Sequence, residues 1–402
     1  MKGRYVAGFV WVTVVTVAGC ASAPPPGAAA PTVIPPAAAP APVATAPAPA
    51  PSVEPAPSAT NPMVASDVAA PAAPPSSTGK LVHGGLARGN GEPGDDLLAQ
   101  ADGEYRSGDY AHAREHYQAA QKLAPKDPAP TVGLLRVKFA AGDIPTDYGS
   151  APKDVKVATL LAQVEAVLRK SPDYGPAHVE RGRLLLVQGK AALALVALER
   201  GAALSADDPE AQSALGVALL ATGKSGPALE RLRRAAELDP DDPERLTNLG
   251  TALMMQGRVE EAIASYRRAV DLTPNEPRAL SDLGTAYLAA NRAADAKTYL
   301  ERAVALDPNR ATFLSNLGYA QRQLGDVPGA VKTLRAAIAK DPKLGSAWIN
   351  LGTALVDQGN LDEAEKSFKK AADLDPTDPR PKASLSDLDE IRKKTTVPAP
   401  GK

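Results

Sequence analysis

The sequence predicts an all-α protein, a superhelical solenoid of about eight helix–turn–helix repeats closed by a capping helix and preceded by a disordered Pro/Ala-rich tether. Three observations carry this. Gly182, Gly216, Gly250, Gly284, Gly318 and Gly352 stand 34 residues apart. Twelve residues after each comes an alanine: Ala194, Ala228, Ala262, Ala296, Ala330 and Ala364. Twenty-four residues after come Pro240, Pro274, Pro308, Pro342 and Pro376, with Ala206 the one departure. Self-similarity at this period means stacked supersecondary units that bury their apolar faces against one another.

Each repeated position has a physical job. Glycine and alanine let the two antiparallel helices of a unit approach closely. Leu215, Leu249, Leu283, Leu317 and Leu351 fill the seam beside the glycines, and Leu198, Leu232, Tyr266, Leu300, Leu334 and Phe368 fill it from the second helix. Gly189, Gly223, Gly257, Asn291, Gly325 and Gly359 are placed to open the turn between the helices, where φ > 0 is needed. The proline ends the second helix. The pattern resembles the tetratricopeptide repeat (TPR) family, most clearly in Ser346-Ala347-Trp348-Ile349-Asn350-Leu351-Gly352 and the unit that follows. The resemblance covers residues 93–378. It implies a right-handed superhelix with the first helix of each unit on the concave side.

The amino terminus reads as a secretion signal over residues 1–19. Lys2 and Arg4 precede an apolar run, Val6 to Ala18, that is too short to span a bilayer as an ordinary helix. The run ends in Val17-Ala18-Gly19-Cys20, which resembles the lipobox of bacterial lipoproteins. That resemblance implies cleavage before Cys20 and lipidation of its thiol, the only cofactor-like group expected. A secretory signal with an incidental cysteine and an uncleaved anchor are the alternatives. Cys20 is the single cysteine, so no disulfide forms within the chain. Several acyl chains make a stable anchor. Ala21 stands where relatives kept in the inner membrane often carry aspartate. The expected location is therefore the outer membrane of a two-membrane bacterium, with the repeats facing the periplasm or the cell surface.

Residues 20–92 hold the lipidated cysteine and a linker of Pro, Ala, Ser, Thr and Val with almost no charge. Such a segment cannot bury enough apolar surface to offset its ordering entropy. Extended as polyproline II, roughly 70 residues reach on the order of 200 Å.

The first unit begins near Pro93, with Leu97, Gly108, Ala113, Tyr117, Ala120 and Pro125 in family positions and Ala101 in place of the glycine. In the second unit Gly142 follows Gly108 by 34 residues, but the next turn glycine, Gly189, comes 47 later. About 13 residues are therefore inserted near 143–155, as a contact element or as surface decoration. Six regular units follow. Residues 379–394 read as a capping helix with Leu385, Leu388 and Ile391 on one face, and residues 395–402 as a frayed tail.

Composition excludes several function classes. The net charge of −1 gives no bulk attraction for nucleic acid. There is no phosphate-binding glycine loop, nucleophile elbow or Cys/His pair, so no enzyme is expected. His112 and His116 share a helix face but lack an evident third ligand, so no metal is expected. Arg233-Arg234, Arg267-Arg268 and Lys369-Lys370 recur on the second helices, diluted by Glu230, Glu237 and Asp271, and read as a solvated face.

The concave face is the candidate site. Two residues before each glycine stand Glu180, Ala214, Asn248, Asp282, Asn316 and Asn350. In the TPR family asparagines here form a ladder that grips the main chain of an extended peptide, each amide supplying a donor and an acceptor. Asn248, Asn316 and Asn350 match it, while an ionised Asp282 only accepts. Thr251, Arg278, Ser281, Thr285, Tyr319 and Thr353 line the same face. Binding through another surface is the competing expectation. The resemblance implies a non-catalytic, membrane-anchored scaffold for envelope proteins, helping to assemble or stabilise a pilus, secretin or gliding-motility machine. The alternative role is a periplasmic adaptor for peptidoglycan hydrolases or a protease. Oligomeric state is left open.

Overall fold

The computed structural model describes residues 85–142, 144 and 149–396. The signal segment, Cys20 and most of the tether lie outside them, as does the tail from residue 397. Among the described residues there are seventeen helices and no strand. They pair as unit 1 (α1 Asp95–Ser107, α2 Tyr110–Leu123), unit 2 (α3 Pro128–Ala140, α4 Val155–Lys170), unit 3 (α5 Gly175–Val187, α6 Ala191–Leu204) and unit 4 (α7 Pro209–Ala221, α8 Ser225–Leu238). Then come unit 5 (α9 Pro243–Met255, α10 Val259–Leu272), unit 6 (α11 Pro277–Ala289, α12 Ala293–Leu306), unit 7 (α13 Ala311–Gln323, α14 Val327–Lys340) and unit 8 (α15 Gly345–Asp357, α16 Leu361–Leu374). A last helix, α17 (Pro379–Thr396), closes the array.

The repeated residues do what their chemistry demands. A Cβ on Gly284 would sit 2.7 Å from Leu300 Cγ and 3.3 Å from the Ala296 carbonyl oxygen, so only glycine allows this helix approach. Ala194, Ala228, Ala262, Ala296, Ala330 and Ala364 are fully buried across the seam. Asn291 adopts φ 57, and Gly189, Gly223, Gly257, Gly325 and Gly359 adopt φ between 70 and 83. Prolines open α7, α9 and α11, where the missing N–H costs nothing. Asp208 and Asp242 cap α7 and α9 by accepting from the Glu210 and Glu244 amides.

A recurring contact ties units 3, 4 and 8 and α17 to the unit before. His178 Nε2, Gln212 Nε2, Trp348 Nε1 and Lys382 Nζ each bond a carbonyl six residues back, at 2.7, 2.8, 2.9 and 3.1 Å. The acceptors, Pro172, Ala206, Pro342 and Pro376, lie just past the end of the preceding second helix. Lys382 places α17 where the first helix of a ninth unit would stand. Leu388 is buried against unit 8 and Leu385 is partly buried there. The helix runs through Thr396, past the expected end at 394, because no breaker intervenes before Pro398.

Unit 2 departs from the pattern in two ways. Gly142 is in phase but does not adopt positive φ. The insertion removes the tight turn, and α3 ends with Ala141 in the right-handed helical region. The far end of the insertion packs on unit 3, where Gly149 N–H donates to the Leu186 carbonyl at 3.0 Å and Ala151 N–H to Val187 at 3.1 Å. Those carbonyls lie in the last turn of α5, where Leu186 also accepts from the Gly189 amide at 2.8 Å. Gly149 and Ala151 thus make a structural contact at the carboxy-terminal end of α5.

Successive first helices touch one another along the array and successive second helices do not. The first helices therefore line the inner, concave side.

Candidate functional site

The concave wall changes character along its length. In units 2 to 5 it is built of buried ions. Arg136 Nε donates to Glu180 Oε1 at 2.7 Å, and Arg183 Nη1 reaches Glu180 at 3.2 Å and Glu210 at 3.0 Å. Arg245 pairs with Asp239 at 3.2 Å and with Asp242 at 3.5 Å. Glu180 and Arg183 are each 2% exposed. Burial alone pushes the Glu180 carboxyl up, but Arg183 and Arg136 together hold it below the ordinary range. Arg183 also lies over the Phe139 ring, 5.8 Å from its centre. Burial, with Asp242 and Glu210 nearby, pushes Glu244 well above the carboxylate range.

In units 6 to 8 the ladder positions are half-buried and hold Asp282, with Arg278 beside it, followed by two amides. Asn316 Nδ2 donates to Thr285 Oγ1 at 3.0 Å, and Asn350 Nδ2 donates to Ser315 Oγ at 3.2 Å. Each spends one N–H on the wall and keeps a second N–H and a carbonyl. Asp282 lies between Asn248 and Asn316 in the ladder order. Burial pushes its carboxyl up to about 7, with Arg278 opposing and Glu276 adding to the rise. Its Oδ2 is enclosed and has no hydrogen-bond partner. A protonated Asp282 offers a donor and an acceptor, as the asparagines do.

The other expected lining residues divide. Thr285, Tyr319, Thr353 and Arg278 are half-buried. Asn248, Thr251 and Ser281 are buried in the wall itself. Asn248 is 3% exposed and donates to Ser213 Oγ at 3.3 Å. Thr251 Oγ1 is shared between the Thr247 carbonyl and the Tyr266 hydroxyl, both at 3.0 Å. These three side chains brace the wall.

The amino-terminal end holds an arrangement that the repeat pattern does not announce. Residues 85–92, assigned above to the disordered linker, lie against α1. Asp102 Oδ2 accepts from the amides of Leu86 and Ala87, the latter at 3.0 Å. Asp95 accepts from the amides of Arg88 at 2.7 Å and Gly89 at 2.6 Å. Four successive main-chain donors thus find acceptors, which offsets the entropy of ordering. The strap is free of proline from Lys80 to Glu92, so every one of these donors exists. Among sequence signals only that break in the proline pattern hinted at it.

His112 and His116 do not converge. His112 Nδ1 lies 2.6 Å from Asp109, and His116 Nδ1 lies 2.7 Å from Glu104. Among the described residues no group of three His, Cys, Asp or Glu is placed to hold a metal, and no helix is long and apolar enough to cross a membrane. On the outer face Arg200, Arg234 and Arg268 pair with Asp173, Asp207 and Asp241, each 27 residues back, at 2.6, 2.9 and 2.9 Å. Part of the basic stripe is therefore neutralised by aspartates at the unit ends.

Residues 213–277, 281–345 and 325–379 match the family profile described as tetratricopeptide repeat. The fold is a TPR solenoid. Solved structures resembling it include the Cut9–Hcn1 hetero-tetramer of the APC/C, at 15% identity and TM-score 0.58. That match covers 74% of this chain and 57% of the other, so this chain spans little more than half of that relative. A thermophilic TPR protein of Thermus thermophilus matches at 26% identity and TM-score 0.41, over 45% of this chain and 98% of that one. The pilF protein of Pseudomonas aeruginosa matches at 20% identity and TM-score 0.46, over 54% and 97%. Comparison with curated protein sequences gave no match. Over residues 213–379 the chain thus carries tetratricopeptide repeats, the kind of unit from which protein–protein interaction scaffolds are built.

Proposed function

We propose that the scaffold is non-catalytic and takes an extended segment of a cell-envelope protein along the concave wall of units 6 to 8. It is held at the outer membrane by lipid on Cys20, with its repeats on the periplasmic side. The supporting observation is the half-buried pair Asn316 and Asn350, each of which spends one N–H on the wall and keeps a second N–H and a carbonyl. Such groups suit main-chain recognition, because backbone N–H and C=O recur in any extended segment. A preorganised wall of stacked helices lowers the entropic cost of docking. The process served is assembly or stabilisation of an envelope machine of the pilus, secretin or gliding-motility type.

The test is crosslinking and pull-down from intact cells with the parent and with Asn316→Ala/Asn350→Ala. The reading expects an envelope protein caught by the parent and lost by the folded variant. Capture by both moves the site off this wall. Cys20→Ala should leave the repeats folded and release them from the membrane fraction; a variant still found in membranes would remove lipidation from the proposal.

A further inference from the structure

Asp95 and Asp102 lie seven residues apart on α1, two turns along one face and ~10 Å apart along the axis. Both point at the same strand of chain. Residues 86–89 run antiparallel to the helix, Leu86 beside Asp102 and Gly89 beside Asp95, with two successive amides on each carboxylate. Asp102 is 4% exposed, and its second oxygen accepts from the buried Tyr117 hydroxyl at 2.6 Å, so its direction is fixed from behind. Tyr117 in turn fills the space over Gly133, where any Cβ would collide with its ring. The Leu86 side chain is 2% exposed and joins the core of the first units. Arg88 makes a two-pronged contact with Asp127, at 2.6 and 3.3 Å. This is how a receptor holds a peptide: main-chain donors on fixed acceptors, one apolar side chain in a pocket, one cation on a carboxylate. The strap reaches α1 through Gly89, Gly91 and Gly94, all at positive φ. It therefore turns sharply back on the helix instead of extending it.

We propose that this face of α1 is a second peptide site. It is selective for an extended, proline-free segment with leucine followed two residues later by arginine, and residues 86–89 are its resident occupant. A partner segment with that chemistry binds by displacing the strap. The inference rests on the reading of the concave side as a binding surface and adds a second, sequence-selective location to it. Because the strap is attached, its effective concentration is high, and an external segment must outcompete it. A site occupied this way is silent toward weak ligands.

The test uses the full chain and a fluorescent peptide of residues 84–92. Leu86→Asp changes only the strap, so its α1 face should be vacant while the repeats stay folded, as circular dichroism will report. Anisotropy should show saturable binding to Leu86→Asp, at least about tenfold weaker binding to the parent, and loss of binding when Asp102→Asn is added. A peptide carrying aspartate in place of the leucine should not bind. In the parent, the amides of residues 86–89 should be protected from hydrogen exchange. Strap amides exchanging freely in the parent would overturn the proposal. So would absence of peptide binding to a folded Leu86→Asp protein, or dimerisation of that protein at concentrations where no peptide binds, which would give the site to a second copy. Asn316→Ala/Asn350→Ala should leave peptide binding unchanged. Loss of the envelope partner in that variant, with no peptide binding anywhere, sinks the strap proposal alone.

Discussion

The same repeat position is filled by Glu180 in unit 3 and by Asn316 in unit 7, and the two side chains live in different surroundings. Glu180 is sealed between Arg136 and Arg183. Asn316 is half-buried, with one hydrogen bond to Thr285. What differs is the neighbour. Unit 2 contributes an arginine to the wall facing Glu180, whereas unit 6 contributes a threonine hydroxyl. A repeat position therefore has no fixed surroundings, and the residue one unit back decides whether its side chain is sealed in an ion pair or left half-buried with hydrogen-bonding capacity to spare. The amino-terminal half of the wall is stiffened by buried charge, and the carboxy-terminal half keeps half-buried amides with unused hydrogen-bonding capacity.

The most severe way to break this contrast is Arg183→Met. The substitution leaves buried Glu180 with Arg136 alone and half-buried Glu210 with Arg245 at 3.7 Å, and should cost about 3 kcal/mol. Urea denaturation should show an early transition confined to the first units, since damage in a solenoid spreads through neighbours. The corresponding change in the other half, Arg322→Met, removes only the exposed pair with Asp357 at 2.7 Å and should cost less than about 1 kcal/mol. Equal costs would erase the distinction between the halves.

Comparable in size is Gly284→Leu, which crowds Leu300 and should cost about 3 kcal/mol by overpacking. Thermal unfolding indistinguishable from the parent would mean the helix register is misplaced. This position belongs to the part of the molecule that was legible from sequence. The period, the glycine and alanine seam, the turn residues and the capping helix follow from local sterics repeated many times, and they appear as read. Less was legible where a role depends on contacts across units. Charges such as Arg136, Arg183 and Glu210 look in sequence like a solvated helix face, and nothing local says that they meet. Asp102 reads as one polar residue in a first helix, yet it anchors a segment 15 and 16 residues upstream. Gly142 kept the phase but lost the turn, because the insertion relieved the constraint that demands positive φ.

A smaller effect sharpens the contrast through pH. The Asp282 carboxyl is raised to about 7 by burial, so the folded state holds a proton that the unfolded chain releases near 4. An acid shifted upward costs stability as pH rises from about 4 to about 7, and the cost is absent below that window. Partial solvent access limits it to about 1–2 kcal/mol. Asp282→Asn should therefore be more stable than the parent at pH 7.5 and level with it at pH 4.5, measured by urea midpoints. Comparing the two proteins at each pH cancels Glu244, whose carboxyl is shifted the same way. A difference that does not change with pH would place Asp282 in water.

The smallest stability change should come with the largest change in binding. Asn248→Ala removes the partner of the buried Ser213 hydroxyl and should cost about 1–3 kcal/mol. Asn316→Ala removes one half-buried bond, to a Thr285 hydroxyl that already donates to the Ser281 carbonyl at 2.8 Å, and should cost about 0.5–1 kcal/mol. Capture of an envelope segment should follow the opposite order, weakened by Asn316→Ala and little affected by Asn248→Ala. The two asparagines occupy one repeat position, so sequence gives no reason for them to differ. If both variants lose capture equally, the peptide runs across unit 5 as well, and the wall must open there to expose Asn248. If the order is as stated, burial rather than residue type sets where along the wall a partner is held.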